Sequence, residues 1–498
     1  MKKPTFLTMN FGKTFWTANV AELFERMGWY ALFTIIILFL TNSKNEGALG
    51  LTKQQAGTIL GVVPFFLYLV PLITGTIGEK IGYKRMLLMS FVVLSAGYYL
   101  CSLATGYWSF FGYFMLVALG AGMFKPIISA TIGQMTRGDK QKSSVGFGIF
   151  YAIVNVGGFL GPIVAGTVRP RYDALGNVIS GSWDTLFYIN AGYMVVMFFY
   201  TLFFFKEPAR KGTDPLGKKL REMITDLRDP KLSILLLILV GYFTNYVQFF
   251  NTMALWITEW VDTSVLASLP FIPDAWVSAG QLKAEYVINL NGVTIVCLAV
   301  WLTSKTANYP ILKTMNTAIL ILCLTVAGLT FTTPLVTGAL SLWLLMTLIV
   351  IFSMAEICVN PKSNELMANI APPDKVATYQ GYMFLSIAGG FFLGGKLVGL
   401  YGHFADKTAM YRDELTRLAG NVPGMNDLNL TQLGIELQKH GVSLIQFDQQ
   451  LWNAHRPYLY WLICAAIGIT SVILLAVYRH FVPKLEEANA PDLIEGSQ

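Results

Sequence analysis

Long apolar segments, separated by short polar ones, dominate the pattern of hydrophobic and polar positions along this chain. Stretches such as TIIILFL, KLSILLLILVGYF and AILILCLTVAGL belong to apolar runs of about twenty residues, the length that a helix needs to cross a bilayer. The runs and the breaks between them place predicted spans near 15–41, 54–77, 84–104, 107–133, 144–168, 184–205, 232–258, 283–304, 309–331, 338–368, 376–402 and 456–480. The pattern therefore predicts an all-α membrane protein with 12 transmembrane helices.

The predicted spans fall into two sets of six, separated by a polar and basic segment. This division predicts an N-terminal six-helix bundle over 1–205, a cytoplasmic linker over 206–231 and a C-terminal six-helix bundle over 232–480. Part of the linker is typical of an amphipathic helix lying on the inner leaflet. A long polar loop, 403–455, lies between the last two spans on the outer side, and a cytoplasmic tail follows over 481–498. Transporters built from two bundles have this layout.

The distribution of charge orients these spans. Only 13% of the 498 residues are charged, and the net charge is +7. The basic residues gather at alternate connections, beginning with Lys80, Lys84 and Arg85, so they follow the positive-inside rule rather than a nucleic-acid-binding pattern. We therefore predict a multi-pass protein of the plasma (inner) membrane with both termini in the cytoplasm, the lipid bilayer as partner and no nucleic-acid partner.

The first predicted span contains charged residues that lipid would not tolerate. Glu22, Glu25 and Arg26 project from one helical face, with Tyr30 one turn further along. Each such residue costs about 2.5–3.5 kcal/mol at the centre of a membrane helix, so this face must point into the protein or a water-filled cavity. Two carboxylates beside one arginine leave one carboxylate without a basic partner, which favours a role in carrying protons. A permanent ion pair between helices remains the alternative.

Two further charges, Lys125 and Glu356, stand alone in apolar spans of opposite halves. Intramembrane ionisable residues are functional candidates by default, and opposite charges on facing bundles can hold a zwitterion end to end. The alternative for Lys125 is a simple partner for a first-span glutamate. The chain shows no His/Asp/Glu grouping with metal-ligand spacing, so we predict that the protein is not an enzyme. A passive channel is a further alternative, but the repeated pore loops of channels are absent.

The same residues resemble a known family, the proton-coupled oligopeptide transporters of the major facilitator superfamily. That family carries Glu-x-x-Glu-Arg-Phe-x-Tyr-Tyr in its first span, and this chain reads ELFERMGWY at 22–30. Similar stretches follow in the family's order, although Glu79 replaces the usual aspartate after the second span. They are YLVPLITGTIGEKIGYKR (68–85), GAGMFKPIIS (120–129), FYAIVNVGGFLGP (150–162) and MAEICVNP (354–361).

The resemblance implies the major facilitator fold, 12 helices in two six-helix bundles, and transport by alternating access. It also implies residue roles, which we carry over position by position. The implied proton-coupling residues are Glu22, Glu25, Arg26 and Lys125. The implied substrate-binding residues are Tyr30, Tyr68, Lys125, Asn155, Asn291 and Glu356. The implied gating loop holds Gly75, Glu79, Lys80, Gly82 and Arg85. No cofactor or metal is implied, the proton is the coupling ion, and the protein is expected to function as a monomer.

Two departures from the family pattern bear on the substrate. Phe33 stands where the family's peptide transporters usually have an arginine, and Val247 stands where they usually have a glutamate. In the family those two charges normally pair with each other, so the absence of one is consistent with the absence of the other. Their absence leaves Lys125 alone to bind a peptide carboxylate. We therefore predict a proton-coupled symporter that imports di- or tripeptides. The alternative is a symporter of the same family for another small anion or zwitterion.

Two motifs have competing interpretations. GFFLGGK (390–396) formally matches a phosphate-binding loop, but it lies within an apolar run, so its glycines are better explained by close helix approach. Asn245 and Gln248, in the seventh span, either touch substrate or bond a neighbouring helix.

Overall fold

The computed structural model describes residues 11–136, 140–208, 215–332, 338–372, 375–420 and 424–481. Within these residues the chain is almost entirely helical, with two short antiparallel hairpins. Eleven helical segments of the described part are long and apolar enough to cross a membrane. Helices suit lipid because they satisfy their own backbone N–H and C=O groups. The protein is a multi-pass membrane protein, and the predicted all-α fold class is confirmed.

The first half holds seven helices. They are α1 (Gly12–Phe33), α2 (Ile36–Thr41), α3 (Lys53–Ile81), α4 (Tyr83–Ser102), α5 (Tyr107–Met135), α6 (Lys140–Val168) and α7 (Trp183–Phe204). A 3-10 turn, Lys44–Glu46, precedes α3, and the hairpin of β1 (Arg171–Tyr172) and β2 (Val178–Ser180) follows α6. α1 is not among the eleven apolar segments, because Glu22, Glu25 and Arg26 lie within it. It continues into α2 after a break at Thr34 and Ile35, so the predicted first span is interrupted.

The linker and the second half contain the remaining helices. They are α8 (Leu216–Asp226), α9 (Pro230–Tyr246), α10 (Gln248–Asn251), α11 (Met253–Trp260), α12 (Ser264–Ala267), α13 (Ala284–Ile288), α14 (Leu290–Thr306), α15 (Ile311–Gly328), α16 (Gly338–Ile370), α17 (Val376–Phe404), α18 (Lys407–Ala419), α19 (Leu430–Lys439), α20 (Leu444–His455) and α21 (Leu459–Phe481). A second hairpin joins β3 (Val277–Ser278) to β4 (Gln281–Leu282), and 3-10 turns cover Asp274–Trp276, Leu329–Phe331 and Met425–Asp427. The predicted seventh span is thus three helical pieces, α9 to α11.

Two segments define the two ends of the molecule. Linker helix α8 lies at one end, which we call the linker end. Residues 405–420 and 424–458, between α17 and α21, lie at the other and form what we call the insert. The predicted long polar loop is therefore largely helical, since the insert contains α18, α19 and α20. Residues 209–214 of the predicted linker and 482–498 of the predicted tail lie outside the described residues.

The two halves pack closely against each other at the insert end. A Cβ added at Gly57 of α3 would lie 2.3 Å from the backbone oxygen of Gly395 in α17, a distance that only glycine permits. The glycines of GFFLGGK therefore serve helix packing, as the sequence indicated. Further hydrogen bonds close this end, including that from the side-chain amide of Asn289 to the backbone oxygen of Phe159 at 3.1 Å. Toward the linker end, Tyr151 of α6 is 40% exposed although it lies close enough to Glu356 of the second half to feel its charge, so the space between the halves is open on that side.

Candidate functional site

The charged group of α1 is buried inside the first half. Glu22, Glu25 and Arg26 are only 5%, 1% and 7% exposed. The Arg26 Nε lies 3.3 Å from Glu22 Oε1, and the Arg26 guanidinium also contacts Glu25. Oε1 of Glu25 is buried and accepts no hydrogen bond from the described residues. One arginine thus serves two carboxylates, and one carboxylate oxygen is left available for a proton.

Glycines of α6 keep lipid away from this charged face. A Cβ added at Gly157 would lie 2.8 Å from the Arg26 Cβ and 2.9 Å from the backbone oxygen of Leu23. A Cβ at Gly161 would lie 2.7 Å from the backbone nitrogen of Ala31. Because α6 has no side chain at these positions, its backbone packs directly on α1. The predicted orientation of the charges into the protein is therefore what the structure shows.

Lys125 of α5 points toward Tyr68 of α3. Its Nζ lies 4.3 Å from the centre of the Tyr68 ring, which is within cation–π distance. Tyr68 in turn stacks on Phe391 of α17, with ring centres 5.5 Å apart. Lys125 makes no ion pair with a carboxylate of the described residues, although Glu22 and Glu25 act on it electrostatically. Its role as a switchable partner of the α1 group stays a prediction.

Glu356 of α16 is buried, 6% exposed, and hydrogen bonds hold it rather than a cation. The Tyr246 hydroxyl donates to its Oε1 at 2.6 Å, and the Asn291 side-chain amide donates to its Oε2 at 3.0 Å. Asn360, one turn along α16, donates more weakly at 3.5 Å. Neutral donors therefore fix the orientation of this carboxylate, and no cation of the described residues is in ion-pair contact with it. Tyr246 was missed in the sequence, because a tyrosine in an apolar span gives no signal of its partner.

The remaining predicted binding residues lie between Lys125 and Glu356. Tyr30 of α1 and Tyr151 of α6 both lie close enough to Glu356 to feel its charge across the two halves. Asn155 donates its amide to the backbone oxygen of Tyr151 at 2.7 Å, on the face of α6 that is partly exposed. The structure therefore brings together the predicted residues Tyr30, Tyr68, Lys125, Asn155, Asn291 and Glu356 in a space between the halves, open toward the linker end.

The predicted gating loop is a single residue rather than a loop. α3 ends at Ile81 and α4 begins at Tyr83, so only Gly82 connects them, with a φ of 110° that favours glycine. Gly75, Glu79 and Lys80 lie on the last turns of α3, and Arg85 lies on the first turn of α4. Glu79 forms an ion pair with Lys219 of linker helix α8 at 2.8 Å. The segment thus links the first half to the linker, and its gating role stays a prediction.

Aromatic side chains occupy the positions that depart from the family pattern. Phe33 packs against Phe391 of α17 and Phe250 of α10, with ring centres 5.7 and 6.3 Å apart. Val247, at the break between α9 and α10, is fully buried. The resemblance implies a charged pair at this place. The structure instead has an apolar contact between the halves, on the insert side of Tyr30 and Tyr68.

Asn245 and Gln248 bond neighbouring helices. The amide of Asn245 donates to the Cys323 sulfur at 3.3 Å, and the amide of Gln248 donates to the backbone oxygen of Gly394 at 3.1 Å. Both are fully buried. Of their two interpretations, the structural one is therefore confirmed.

Two buried ion pairs join the halves at the insert end, and neither pairing is signalled by the residues along the chain. Lys53 of α3 lies 3.4 Å from Glu259 of α11. Arg169, just after α6, makes a bidentate pair with Glu285 of α13, at 2.6 and 3.0 Å. Pairs of this kind form only when distant parts of the chain meet, so no local pattern marks them.

The fold and this site define a membrane transporter of two helical halves with a polar site between them. The family model of the Major Facilitator Superfamily matches residues 19–395, and the chain belongs to this superfamily. It is therefore a member of a transporter family rather than of an enzyme family.

Comparison with individual proteins agrees with the resemblance in the motifs. A di-/tripeptide transporter of Lactococcus lactis subsp. cremoris is 28% identical over 234 residues, which cover 45% of this chain and 44% of that protein. The chain thus matches less than half the length of this curated relative. A crystal structure of a peptide transporter POT in complex with sulfate has a TM-score of 0.66 at 18% identity, covering 97% of this chain and 96% of that one. A POT family transporter in complex with 5-aminolevulinic acid has a TM-score of 0.67 at 15% identity, covering 95% and 96%.

Proposed function

We propose that the protein is a proton-coupled symporter that imports di- and tripeptides by alternating access. One observation carries this proposal: Lys125 and Glu356 stand on opposite halves, neither pairs with an opposite charge of the described residues, and both border one space between the halves. A peptide is a zwitterion, so its carboxylate would bind Lys125 and its amino group would bind Glu356. The relatives named di-/tripeptide transporter support this substrate.

The proton would act at the α1 group. Arg26 balances only one of the two carboxylates it contacts, so a proton on Glu22 or Glu25 removes the surplus negative charge. The neutral group then no longer attracts Lys125, which becomes free to bind the carboxylate of the substrate. Each proton that moves inward across 100 mV supplies about 2.3 kcal/mol, enough to drive useful accumulation. The proton is the coupling ion, and no cofactor or metal takes part.

The basic connections support a cytoplasmic location for the linker end. In this orientation the structure is the cytoplasm-facing state, because its insert end is closed and its linker end is open. Both termini would lie in the cytoplasm, the insert would lie outside, and the protein would act as a monomer in the plasma (inner) membrane.

A second candidate keeps the mechanism and changes the cargo to a non-peptide anion or zwitterion. Phe33 and Val247 favour it, because the structure has aromatic packing where the family pattern has a charged pair. With one cation fewer, the site holds a carboxylate less firmly.

Uptake by proteoliposomes separates the candidates. Purified protein is reconstituted, an inward proton gradient is imposed, and a library of labelled di- and tripeptides is compared with amino acids and non-peptide zwitterions such as 5-aminolevulinic acid. We expect gradient-dependent accumulation of peptides, which a protonophore abolishes and Glu356→Gln reduces at least tenfold. Accumulation of only the non-peptide compounds would support the second candidate. Uptake that does not depend on the proton gradient would contradict both candidates.

A further inference from the structure

A second cavity, about 590 Å³ in volume, lies at the insert end, apart from the site between Lys125 and Glu356. The first half contributes residues from the end of α2 to Lys53, together with Arg169 and Tyr172, and the second half contributes the end of α11 and the segment before α13. The insert provides the remaining wall, with residues of α18 and α20. The volume falls within the usual range for small-molecule sites, and we call this space the outer cavity.

The floor of the outer cavity is closed. Lys53 and Glu259 both line the cavity, and their ion pair joins α3 to α11 across its base. The Tyr401 hydroxyl also donates to Glu259, at 2.9 Å. Below them the glycine contact between α3 and α17 separates the outer cavity from the central site.

Two cations of the outer cavity have no carboxylate partner in the described part of the chain. The Lys283 ammonium, 3% exposed, donates to the backbone oxygen of Gly166 at 2.6 Å. Arg412 of α18 donates through Nη2 to the backbone oxygens of Asn426 and Leu428, both at 3.3 Å. Its Nε is buried and has no hydrogen-bond partner among the described residues. Burial, together with the Arg169 guanidinium, lowers the pKa of the Lys283 amine to about 8, so an added anionic group would stabilise its charged form.

Two carboxylates of the outer cavity likewise have no cation in ion-pair contact in the described part. Glu46 accepts from the Tyr172 hydroxyl at 2.7 Å and from the Asn42 amide at 3.0 Å. Asp262 accepts from the Ser264 backbone nitrogen at 2.9 Å and from the Gln281 amide at 3.1 Å. Neutral donors hold both groups in place. Burial raises the pKa of the Glu46 carboxyl, so an added ammonium group would stabilise its charged form.

We propose that the outer cavity is a second binding site for a zwitterionic peptide. Arg412 and Lys283 would hold the peptide carboxylate, and Glu46 or Asp262 would hold its amino group. The site would capture substrate on the side of the insert while the central site is open toward the linker end. This inference rests on the proposed function for the identity of the ligand, because a carboxylate and an amino group on one small molecule match the charges of both sites.

Binding stoichiometry tests the inference. Purified protein in lipid nanodiscs is equilibrated with radiolabelled trialanine, and the amount bound at saturation is measured by equilibrium dialysis. We expect two peptides per chain for the wild type and one for Arg412→Gln. The matched control is Arg417→Gln, on the same helix, because Arg417 is exposed and pairs with Glu414 outside the cavity. This control should still bind two.

Further variants distinguish the loss of a binding site from misfolding of the insert. Arg412→Lys retains a cation and should bind two peptides, and thermal unfolding of Arg412→Gln shows whether the insert still folds. Glu356→Gln should bind one peptide, at the outer cavity.

If the wild type binds one peptide, and Glu356→Gln abolishes that binding while Arg412→Gln does not, the inference fails and the proposed function stands. If the single peptide is lost in Arg412→Gln alone, the outer cavity is a site and the proposed central site fails. Absence of any binding would overturn both.

Discussion

Arg26 contacts the carboxylates of both Glu22 and Glu25, so the group bears a net negative charge whenever both acids are ionised. The group is almost completely buried, and burial disfavours a net charge. A single proton neutralises it without moving a helix. In the proposed mechanism, this site therefore responds to a change in its surroundings by exchanging one proton.

Glu25→Gln should separate proton coupling from substrate movement. The amide cannot carry a proton, so we expect uptake driven by a pH gradient to fall at least tenfold, while exchange of labelled for unlabelled substrate without a gradient persists. Both rates are measured in proteoliposomes. Glu436→Gln is the control, because Glu436 pairs with Lys439 on the exposed face of α19 and should leave both rates unchanged. Normal accumulation by Glu25→Gln would remove Glu25 from the coupling group.

Tyr246→Phe should weaken substrate binding without abolishing coupling. The hydroxyl donates at 2.6 Å to Glu356, and a hydrogen bond to a charged group contributes about 1.5–3 kcal/mol. We expect the substrate concentration for half-maximal uptake to rise about tenfold, since the carboxylate then loses its fixed orientation. Tyr99→Phe is the comparison, because Tyr99 is half-exposed on α4, away from the site. An unchanged half-saturating concentration would show that Glu356 does not depend on Tyr246.

At the residue scale, the sequence identified charges but not their partners. Glu22, Lys125 and Glu356 stand out because charge is rare in apolar spans. Tyr246, by contrast, is one of many tyrosines, and its contact with Glu356 depends on how α9 packs on α16. The aromatic contact of Phe33 with Phe250 and Phe391 was signalled only as a departure from a family pattern.

At the scale of elements, the close approach of α3 to α17 depends on glycines, which have no side chain. Gly395→Ala would place its Cβ 2.3 Å from the backbone oxygen of Gly57 and 2.5 Å from the Gly61 Cα, and neither atom can move without its helix. We expect both gradient-driven uptake and exchange to fall about tenfold, because each cycle must close the insert end, and overpacking costs about 1–3 kcal/mol.

Gly381→Ala is the control for this contact. It lies on the same helix, and its added Cβ would meet only a leucine methyl group at 4.0 Å. It should transport normally in both assays. If Gly395→Ala also transports normally, the contact is not needed for closure.

Hydrophobic periodicity predicted where most elements lie but not where they break. The predicted span 84–104 corresponds to α4, Tyr83–Ser102, because apolar length and polar flanks define a span. The breaks at Thr34–Ile35 and at Val247 have no proline or glycine to mark them, so they arise from packing rather than from local preference. Likewise, the insert was predicted as a long polar loop, whereas α18, α19 and α20 make it largely helical.

At the scale of the whole molecule, the sequence predicted the architecture but not the state. The apolar runs and their basic connections are properties of every conformation, and the superfamily fold follows from them. Which end is closed depends on contacts between the halves, such as the ion pair of Lys53 with Glu259. A pattern of residues along the chain carries no information about which of two alternating states is more stable.

The buried pair of Arg169 and Glu285 should therefore set the balance between the two states. Glu285→Gln leaves the Arg169 charge buried and unpaired, and breaking a buried pair in this way costs about 3–5 kcal/mol. Because both groups gain water when the insert end opens, the whole cost falls on the closed state. We expect the substrate-free protein to shift toward an insert-open conformation and uptake to fall more than tenfold.

Spin labels make this shift measurable. Trp108 and Ile445 are highly exposed and lie at the insert end, on the first half and on the insert respectively. Labels at these two positions, in a cysteine-free background, should report longer distances by double electron–electron resonance in Glu285→Gln than in the parent protein. The charge-swapped double variant Arg169→Glu with Glu285→Arg restores an ion pair between the halves, so it should recover the shorter distances and part of the uptake. If the double variant behaves no better than Glu285→Gln, the pair acts through the packing of its own side chains, and closure of the insert end is governed by the glycine contact and Lys53 instead.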